Sequence, residues 1–368
     1  MTYIVGFIEN EDIILISDTA ITTENDIKIA PHTSFEEKPV KLNGKLIYQS
    51  EIKLFNISND ILIGGAGESH PIDNFVDNLN TYRNLYKLSL TKSIEAALDA
   101  IDNNEFELLI AYLDADNKPL LKIKDSHSKK LMNCEAFGSI GCEKTHHKNF
   151  WKDYQELRNN PTYKNCTLSK KMITCTSILQ GYSLFDDILS EGVGGIFTSI
   201  SLSQKKIQWQ PSVGFITFST KQELHSNLEC ISKINLGAIY EDSKYIFIAE
   251  KNNAFYIASP KPAFTGALFN NLNYKCQDDK IKWYEDNIDI IFENYTNLNV
   301  NFFVLVSRNN RVISIFEKKE LQNRLIELQF GEKIKFKANA TTEDDINFLF
   351  KLINSFGKSL DSHLTLYL

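Results

Sequence analysis

Three glycine-rich segments divide the first half of the chain, and they constrain its fold more than any other feature. They occupy residues 64–67, 137–141 and 192–195, and each adjoins a run of β-branched or aromatic residues, so we expect turns there. Apolar residues recur at helical spacing twice after the first segment and twice after the second. The order is therefore strands, two helices, strands, two helices and a strand. That order predicts two sheets with helices on their outer faces.

The chain is long enough for two domains. It has 368 residues, of which 43% are hydrophobic, whereas a single domain ordinarily has about 150 residues. Short β-like runs begin again at about residue 209, and a capping box at Thr342 and Asp345 predicts a closing helix. We expect one domain at 1–208 and a mixed α/β domain of undefined role at 209–368, with one elaborated domain as the alternative.

Charge and hydropathy exclude several classes of protein. The 40 basic and 47 acidic residues give a net charge of −7 without a long basic run, so we expect no nucleic acid and no membrane as partner. No stretch approaches the roughly 20 apolar residues that span a bilayer, and no basic segment precedes the first apolar run. We therefore expect a cytoplasmic protein.

Metals and cofactors have no support in the sequence. The six cysteines are irregularly spaced and include no CxxC pair, so we expect reduced thiols that fill space. Cys142, His146 and His147 are close in sequence, but a histidine pair on a helix is ordinarily a surface feature. Neither a Walker loop nor a GxGxxG motif is present. We expect no metal and no cofactor.

Thr2 is a candidate nucleophile because it directly follows Met1. A small residue at this position ordinarily permits removal of the initiator methionine, which would leave Thr2 with a free α-amine at the head of a strand. A hydroxyl is a poor nucleophile at neutral pH, but an α-amine titrates close to neutrality and can act as its general base. One residue can thus supply both parts of the nucleophile.

Four segments after Met1 resemble a known family. In order, they are similar to the opening of proteasome β-type subunits and of the HslV protease, which are N-terminal nucleophile (Ntn) hydrolases; the segments are residues 2–7, 14–22, 53–57 and 63–69. The resemblance continues through the later glycine segments to about residue 203. It implies an α+β fold, the four-layer αββα sandwich of the proteasome, with 209–368 as an addition.

The resemblance also implies a set of site residues. The nucleophile maps onto Thr2, the aspartate onto Asp18 and the lysine onto Lys53. A lysine beside the hydroxyl and the amine would lower the pKa of both, and a carboxylate would keep that lysine charged and oriented. Backbone N–H groups of Gly65 and Gly67 would hold the oxyanion, and Gly67 matches the family pattern better.

The support that the family gives to the amine is altered in this chain. Ser139, in the second glycine segment, matches a serine of the family and can still serve as a catalytic residue. Ser190 and Val193 occupy the places of an aspartate and a serine that steady the amine in the proteasome branch. Ala20 replaces the basic residue that commonly follows the aspartate. These departures weaken the implied network for proton transfer.

The assignment of the lysine depends on how residues 24–50 are aligned. We interpret this polar stretch as an insertion, which places Lys53 in the position of the family's lysine. Lys41 and Lys45 are the rivals if the insertion is placed elsewhere.

These features predict a threonine-type Ntn hydrolase that cleaves amide bonds, with peptides as the leading substrate, through an acyl-enzyme on Thr2. A homo-oligomer and an ATPase or other protein are the expected partners. One alternative is a catalytically inactive proteasome-like scaffold or recognition protein, in which 209–368 carries the partner interface. Another is an amidase for small molecules, which keeps the same chemistry. The catalytic hypotheses all require removal of Met1.

Overall fold

The computed structural model describes the chain in segments: residues 2–23, 40–42, 45–49, 52–102, 105–141, 145–186, 192–204, 206–211, 213–220, 236–241, 245–250, 255–260, 301–308, 311–317, 326–328, 334–336 and 365–367. They form a mixed α/β protein, as the sequence predicted. The helices are α1 (Ser69–Asn84), α2 (Leu90–Asp99), α3 (Thr145–Asn159), α4 (Pro161–Lys164) and α5 (Leu168–Phe185). The strands are β1 (Tyr3–Glu9), β2 (Asp12–Ser17), β3 (Ala20–Thr23), β4 (Val40–Leu42), β5 (Lys45–Gln49), β6 (Leu54–Ser58), β7 (Ile61–Gly67), β8 (Phe106–Leu113), β9 (Pro119–Lys124), β10 (Leu131–Cys134), β11 (Phe137–Gly141), β12 (Thr198–Ser203), β13 (Lys206–Trp209), β14 (Val213–Phe218), β15 (Leu236–Glu241), β16 (Tyr245–Glu250), β17 (Phe255–Pro260), β18 (Phe302–Ser307), β19 (Val312–Glu317), β20 (Ile326–Leu328), β21 (Ile334–Phe336) and β22 (Thr365–Tyr367).

The first sheet begins with the hairpin that the sequence predicted. Glu9 of β1 pairs with Asp12 of β2 across a tight turn, in which Asn10 takes φ = 60°. Asparagine tolerates this left-handed conformation better than most residues, which is why it suits such a turn. The sheet has the antiparallel order β11-β1-β2-β12-β13. Strand β1 thus has a neighbour on each side, so the start of the chain is fixed in the sheet.

The second sheet is antiparallel, in the order β10-β9-β8-β7-β6, and carries α1 and α2 on one face. The helical periodicity of the sequence places the apolar side chains of both helices on the side that faces β7 and β8. The buried residues that they share with these strands include Ile61, Ile63, Ile72, Phe75, Leu79, Ile94, Leu98, Phe106, Leu108 and Ile110.

The first and second sheets pack directly against each other. A Cβ atom added to Gly6 of β1 would lie 2.9 Å from Cδ2 of Leu109 in β8, and one added to Gly64 of β7 would lie 2.7 Å from Cγ2 of Ile4 in β1. Both distances are shorter than real Cβ contacts, so glycine allows the two sheets to approach this closely. Ile4 and Leu109 also belong to one buried cluster.

The opposite face of the first sheet is covered by α3 and α5. The ring centroid of Phe7 in β1 lies 4.4 Å from that of Tyr154 in α3. Helix α5 contacts β12 and contributes Met172 and Ile178 to the same buried cluster as Phe7. The first sheet is therefore buried on both faces, which explains why the sequences of β1 and β2 are almost continuously apolar.

A third sheet packs on the other side of α5. Its order is β15-β16-β17-β14-β18-β19-β22, with β14-β18 and β19-β22 parallel. A Cβ atom added to Gly181 of α5 would lie 2.4 Å from Cδ1 of Ile313 in β19. Asp186 and Arg311 join the end of α5 to this sheet through two hydrogen bonds of 3.1 and 2.8 Å. Every residue of α5 from Lys171 to Ser183 is buried as a result.

The domain boundary between residues 208 and 209 stays a prediction. Strands β14, β18 and β19 contribute to the same buried cluster as α5, so the described part of 209–368 packs on the preceding segment. The closing helix predicted at Thr342 lies outside the described residues. No helix in the described segments is both long and apolar enough to cross a lipid bilayer.

Two of the three glycine segments lie in strands, so predicting turns within them was wrong, although the first segment does lead from β7 directly into α1. Strand β7 continues to Gly67, and β11 spans Phe137–Gly141. Close packing explains the glycines: a Cβ atom on Gly65 would lie 2.7 Å from Cγ2 of Ile72 in α1. Only residues 192–195 form a turn, in which three glycines have positive φ.

Candidate active site

Asp18 is a fully buried carboxylate at the end of β2, with 0% of its side chain exposed. Its Oδ1 accepts the backbone N–H of Tyr3 at 2.9 Å, and its Oδ2 accepts those of Ala20 at 3.3 Å and Gly194 at 3.2 Å. These donors come from the start of β1, the start of β3 and the third glycine segment. Since buried carboxylates require such partners, Asp18 joins three parts of the chain at one point.

Lys53 is the cation that the structure brings to Asp18. Its side chain is 7% exposed, and Nζ lies 2.8 Å from Oδ1 of Asp18. The same Nζ donates a hydrogen bond to the carbonyl oxygen of Ala20, so a backbone group of residue 20 contacts the lysine. Of the two rivals, Lys45 is exposed in β5, and the side chain of Lys41 lies outside the described residues.

Thr2 lies beside this ion pair. It precedes β1 and is 8% exposed. The N–H of Tyr3, which is the peptide bond that follows Thr2, and the ammonium of Lys53 both donate to Oδ1 of Asp18. The lysine nitrogen is therefore within two hydrogen-bond lengths of the backbone of the candidate nucleophile. The structure thus brings together Thr2, Asp18 and Lys53, although the last is far from the other two in sequence.

The two predicted oxyanion donors differ in their geometry. The N–H of Gly65 donates to the carbonyl oxygen of Lys53 at 3.1 Å, so it is engaged within the sheet. Gly67 lies two residues further along β7, where its N–H points to the same side, beyond the last residue paired with β6. It is exposed and has φ = 106°. Gly67 therefore stays a candidate donor, and the prediction for Gly65 does not fit its bonding.

Ser139 is not brought to Thr2. It is half-buried in β11 and pairs with Val5, three residues along β1 from Thr2, which is roughly 10 Å at 3.3 Å per residue. The neighbour of the candidate nucleophile in this strand is instead Gly141, with φ = 91°. A Cβ atom at Gly141 would lie 1.9 Å from the carbonyl oxygen of Thr2.

The structure describes one of the two positions, Ser190 and Val193, at which the chain departs from the family pattern. Val193 is buried, with 3% of its side chain exposed, and carries no polar group that could support an amine. Ser190 lies outside the described residues.

Gln180 is a buried residue of this region that the sequence reasoning missed. Its Nε2 donates to the carbonyl oxygen of Gly195 at 3.0 Å, and its Oε1 accepts the N–H of Phe197 at 2.9 Å. The turn that it holds also contains Gly194, whose N–H binds Asp18. The signal in the sequence is a single amide in a stretch of α5 whose other residues are apolar, small or hydroxyl-bearing.

Gln180→Leu is expected to lower the free energy of unfolding by about 2 kcal/mol, because two buried backbone groups lose their partners. If Thr2 is the nucleophile, its reaction with an electrophile should also slow, because the turn that binds Asp18 is released. Urea unfolding and the rate of reaction with a threonine-directed electrophile would measure the two effects. Gln155→Leu, at an exposed position of α3, is the control. Equal unfolding curves for both variants would contradict the role of Gln180.

Two of the three cysteines among the described residues, Cys134 and Cys175, are poor candidates for a rival nucleophile. Burial raises the pKa of Cys175 to about 12, and its Sγ lies 3.4 Å from the hydroxyl oxygen of Tyr163. Burial also raises the pKa of Cys134. Both thiols are therefore protonated at neutral pH, which makes them poor nucleophiles. Within the described segments, three or more histidine, cysteine or carboxylate side chains nowhere come together as a metal site.

Comparison with known proteins finds likenesses among solved structures alone. No protein-family model matches the chain, and no curated protein does. One of these solved structures is the eukaryotic HslV from Trypanosoma brucei. The alignment covers 55% of this chain and 100% of the HslV chain, at 14% sequence identity and a TM-score of 0.38.

Proposed function

We propose that the chain is a threonine-type Ntn hydrolase with the proteasome-like αββα arrangement, in which Thr2 is the nucleophile after removal of Met1. One observation carries this proposal: Oδ1 of Asp18 accepts both the ammonium of Lys53 at 2.8 Å and the N–H of Tyr3 at 2.9 Å. Burial of an ion pair costs desolvation free energy and is weak support for stability. The alignment of this pair with the backbone of Thr2 favours a role in catalysis.

In the proposed reaction, the α-amine of Thr2 takes the hydroxyl proton while Oγ1 attacks the carbonyl carbon of an amide. The carbonyl oxygen becomes an oxyanion, which accepts the N–H of Gly67. The α-ammonium of Thr2 then protonates the leaving amine as the C–N bond breaks, and water hydrolyses the acyl-enzyme. The charge of Lys53 lowers the pKa of the hydroxyl group. Peptides are the proposed substrate class, and small-molecule amides would use the same steps.

The proposal makes Thr2→Ala inactive, because the only group that can form the acyl-enzyme is lost. Amide hydrolysis and labelling by a threonine-directed electrophile should fall by more than about a thousandfold. Thr2→Ser, which keeps a hydroxyl group, should retain labelling, and both variants should unfold as the wild type does. The intact mass of the purified protein comes first, since the mechanism requires the loss of one methionine. Amidase activity retained in Thr2→Ala would exclude this mechanism.

A catalytically inactive scaffold is the second candidate. It is favoured by the engaged N–H of Gly65 and by the small exposed fraction of Thr2, which is 8%. A scaffold predicts that the electrophile does not label the protein even after Met1 has been removed, and retention of Met1 would also favour it. Labelling that disappears in Thr2→Ala would contradict it.

A further inference from the structure

A second carboxylate approaches the amino end of the chain from the opposite sheet. Glu107 lies in β8 and is half-buried, and its Oε2 accepts the backbone N–H of Gly141 at 2.6 Å. This is a short bond, as expected when the acceptor is charged. It joins the second sheet to the last residue of β11, which belongs to the first sheet.

Gly141 connects this carboxylate with the candidate nucleophile. It pairs with Tyr3 across β11 and β1. Its backbone also packs so tightly on Thr2 that an added Cβ atom would lie 1.9 Å from the carbonyl oxygen of that residue. Glu107 therefore contacts the residue whose backbone touches Thr2. No other side chain in the described segments is bonded to the N–H of Gly141.

Among the described residues, Glu107 forms no ion pair with a lysine or arginine, although Lys124 interacts with it electrostatically. Lys53 is paired with Asp18. The charge of Glu107 raises the pKa of Lys124, but the hydrogen bonds of Lys124 Nζ go to the carbonyl oxygens of Phe106 and Asp125. Burial lowers the pKa of Lys124 more strongly than Asp125 and Glu107 raise it. An α-amine on Thr2, once exposed and protonated, would add a second positive charge at this end of the chain.

We propose that Glu107 is a positioning residue for the amino terminus: it holds Gly141 against Thr2, and its carboxylate balances the α-ammonium that forms when the amine takes the hydroxyl proton. This inference rests on the proposed function. It would also supply, from a different strand, a carboxylate in place of the family's aspartate, where this chain has Ser190. Because a nearby negative charge favours the protonated amine, Glu107 makes Thr2 a stronger base.

The experiment uses the full chain beginning at Thr2, released from an amino-terminal ubiquitin fusion so that the α-amine is present in every sample. Its titration is followed through the pH dependence of trace acetylation by acetic anhydride, with the modified peptide quantified by mass spectrometry. Glu107→Gln keeps an oxygen that can accept the N–H of Gly141 and removes the charge. Glu107→Ala removes both. Glu95→Gln, at an exposed position of α2, is the control for loss of one carboxylate.

We expect Glu107→Gln to lower the pKa of the α-amine by about one pH unit relative to the wild type and Glu95→Gln. Glu107→Ala should show the same change and a further loss in the rate of labelling by the threonine-directed electrophile. An amine that titrates in Glu107→Gln as it does in the wild type would overturn the inference. The titration needs no hydrolysis, so the two failures can be distinguished. A wild-type protein that the electrophile never labels would contradict the proposed function. An unchanged titration in Glu107→Gln would contradict only the inference about Glu107.

Discussion

Asp18→Asn is expected to lower the free energy of unfolding by about 3 to 5 kcal/mol, because the ammonium of Lys53 is then buried without a counter-charge. The lysine is 7% exposed and the aspartate 0%, so water cannot replace the lost partner. The carboxylate also accepts three backbone N–H groups, and an asparagine side chain has one oxygen with which to accept them. Labelling of Thr2 should disappear as well.

The double variant Asp18→Asn with Lys53→Met separates stability from catalysis. Removing the unpaired ammonium should restore part of the lost stability, since an apolar side chain of similar size fits a buried position better than an isolated charge. Labelling by the threonine-directed electrophile should stay absent, because the positive charge that activates Thr2 is gone. Urea unfolding of the two single variants and the double variant forms a cycle that measures the coupling between the two residues.

The cycle can contradict the assignment of the site in two ways. Additive losses of stability would mean that Asp18 and Lys53 do not interact. Labelling that survives in the double variant would mean that the pair serves the fold alone. Lys45→Met is the matched control, because this rival lysine is exposed and should affect neither measurement.

The parts of the site that could be predicted from the sequence are those carried by ordered motifs. Thr2 and Asp18 are fixed by the hairpin of β1 and β2, which the alternation of strand and turn residues already indicated. Lys53 required a choice across residues 24–50, which no local pattern could settle. Of the candidates whose side chains the structure describes, Lys53 is the one paired with Asp18, at 2.8 Å.

Glycine was the signal that the sequence reasoning used wrongly. It was interpreted as a marker of turns, but Gly65 lies inside a strand, where it lets α1 approach the sheet. Ser139 was assigned from the family resemblance alone, and the register of β11 pairs it with Val5 rather than with the start of β1. Local composition cannot distinguish a glycine that bends the chain from one that admits a neighbour.

The local sequence could not show what Glu107 and Gln180 bind. Each acts through a backbone group that is distant along the chain: Gly141 for the glutamate, and Gly195 with Phe197 for the glutamine. A polar residue in an apolar strand or helix reports that a partner must exist. Which partner it has depends on the packing of the sheets and of α5, and that packing is a property of the whole fold.

Gly141→Ala is expected to lower the free energy of unfolding by about 3 kcal/mol and to abolish labelling of Thr2. The new Cβ atom would lie 1.9 Å from the carbonyl oxygen of Thr2, a backbone atom that cannot rotate away. The backbone at this residue also has φ = 91°, a conformation that residues other than glycine rarely adopt. The end of β11 must therefore separate from β1, and the contact of Glu107 with this residue is lost with it.

Gly138→Ala in the same strand provides the matched control. Its Cβ atom would meet Sγ of Cys134 at 2.9 Å and Cδ1 of Ile123 at 3.0 Å, which are the ends of side chains that can move. We expect a loss of about 1 kcal/mol and normal labelling. If Gly141→Ala behaved like Gly138→Ala in urea unfolding and in labelling, the close approach of β11 to Thr2 would not be needed for the site. A selective loss in Gly141→Ala would instead show that the amino end of the chain has to be held against β11 for Thr2 to react.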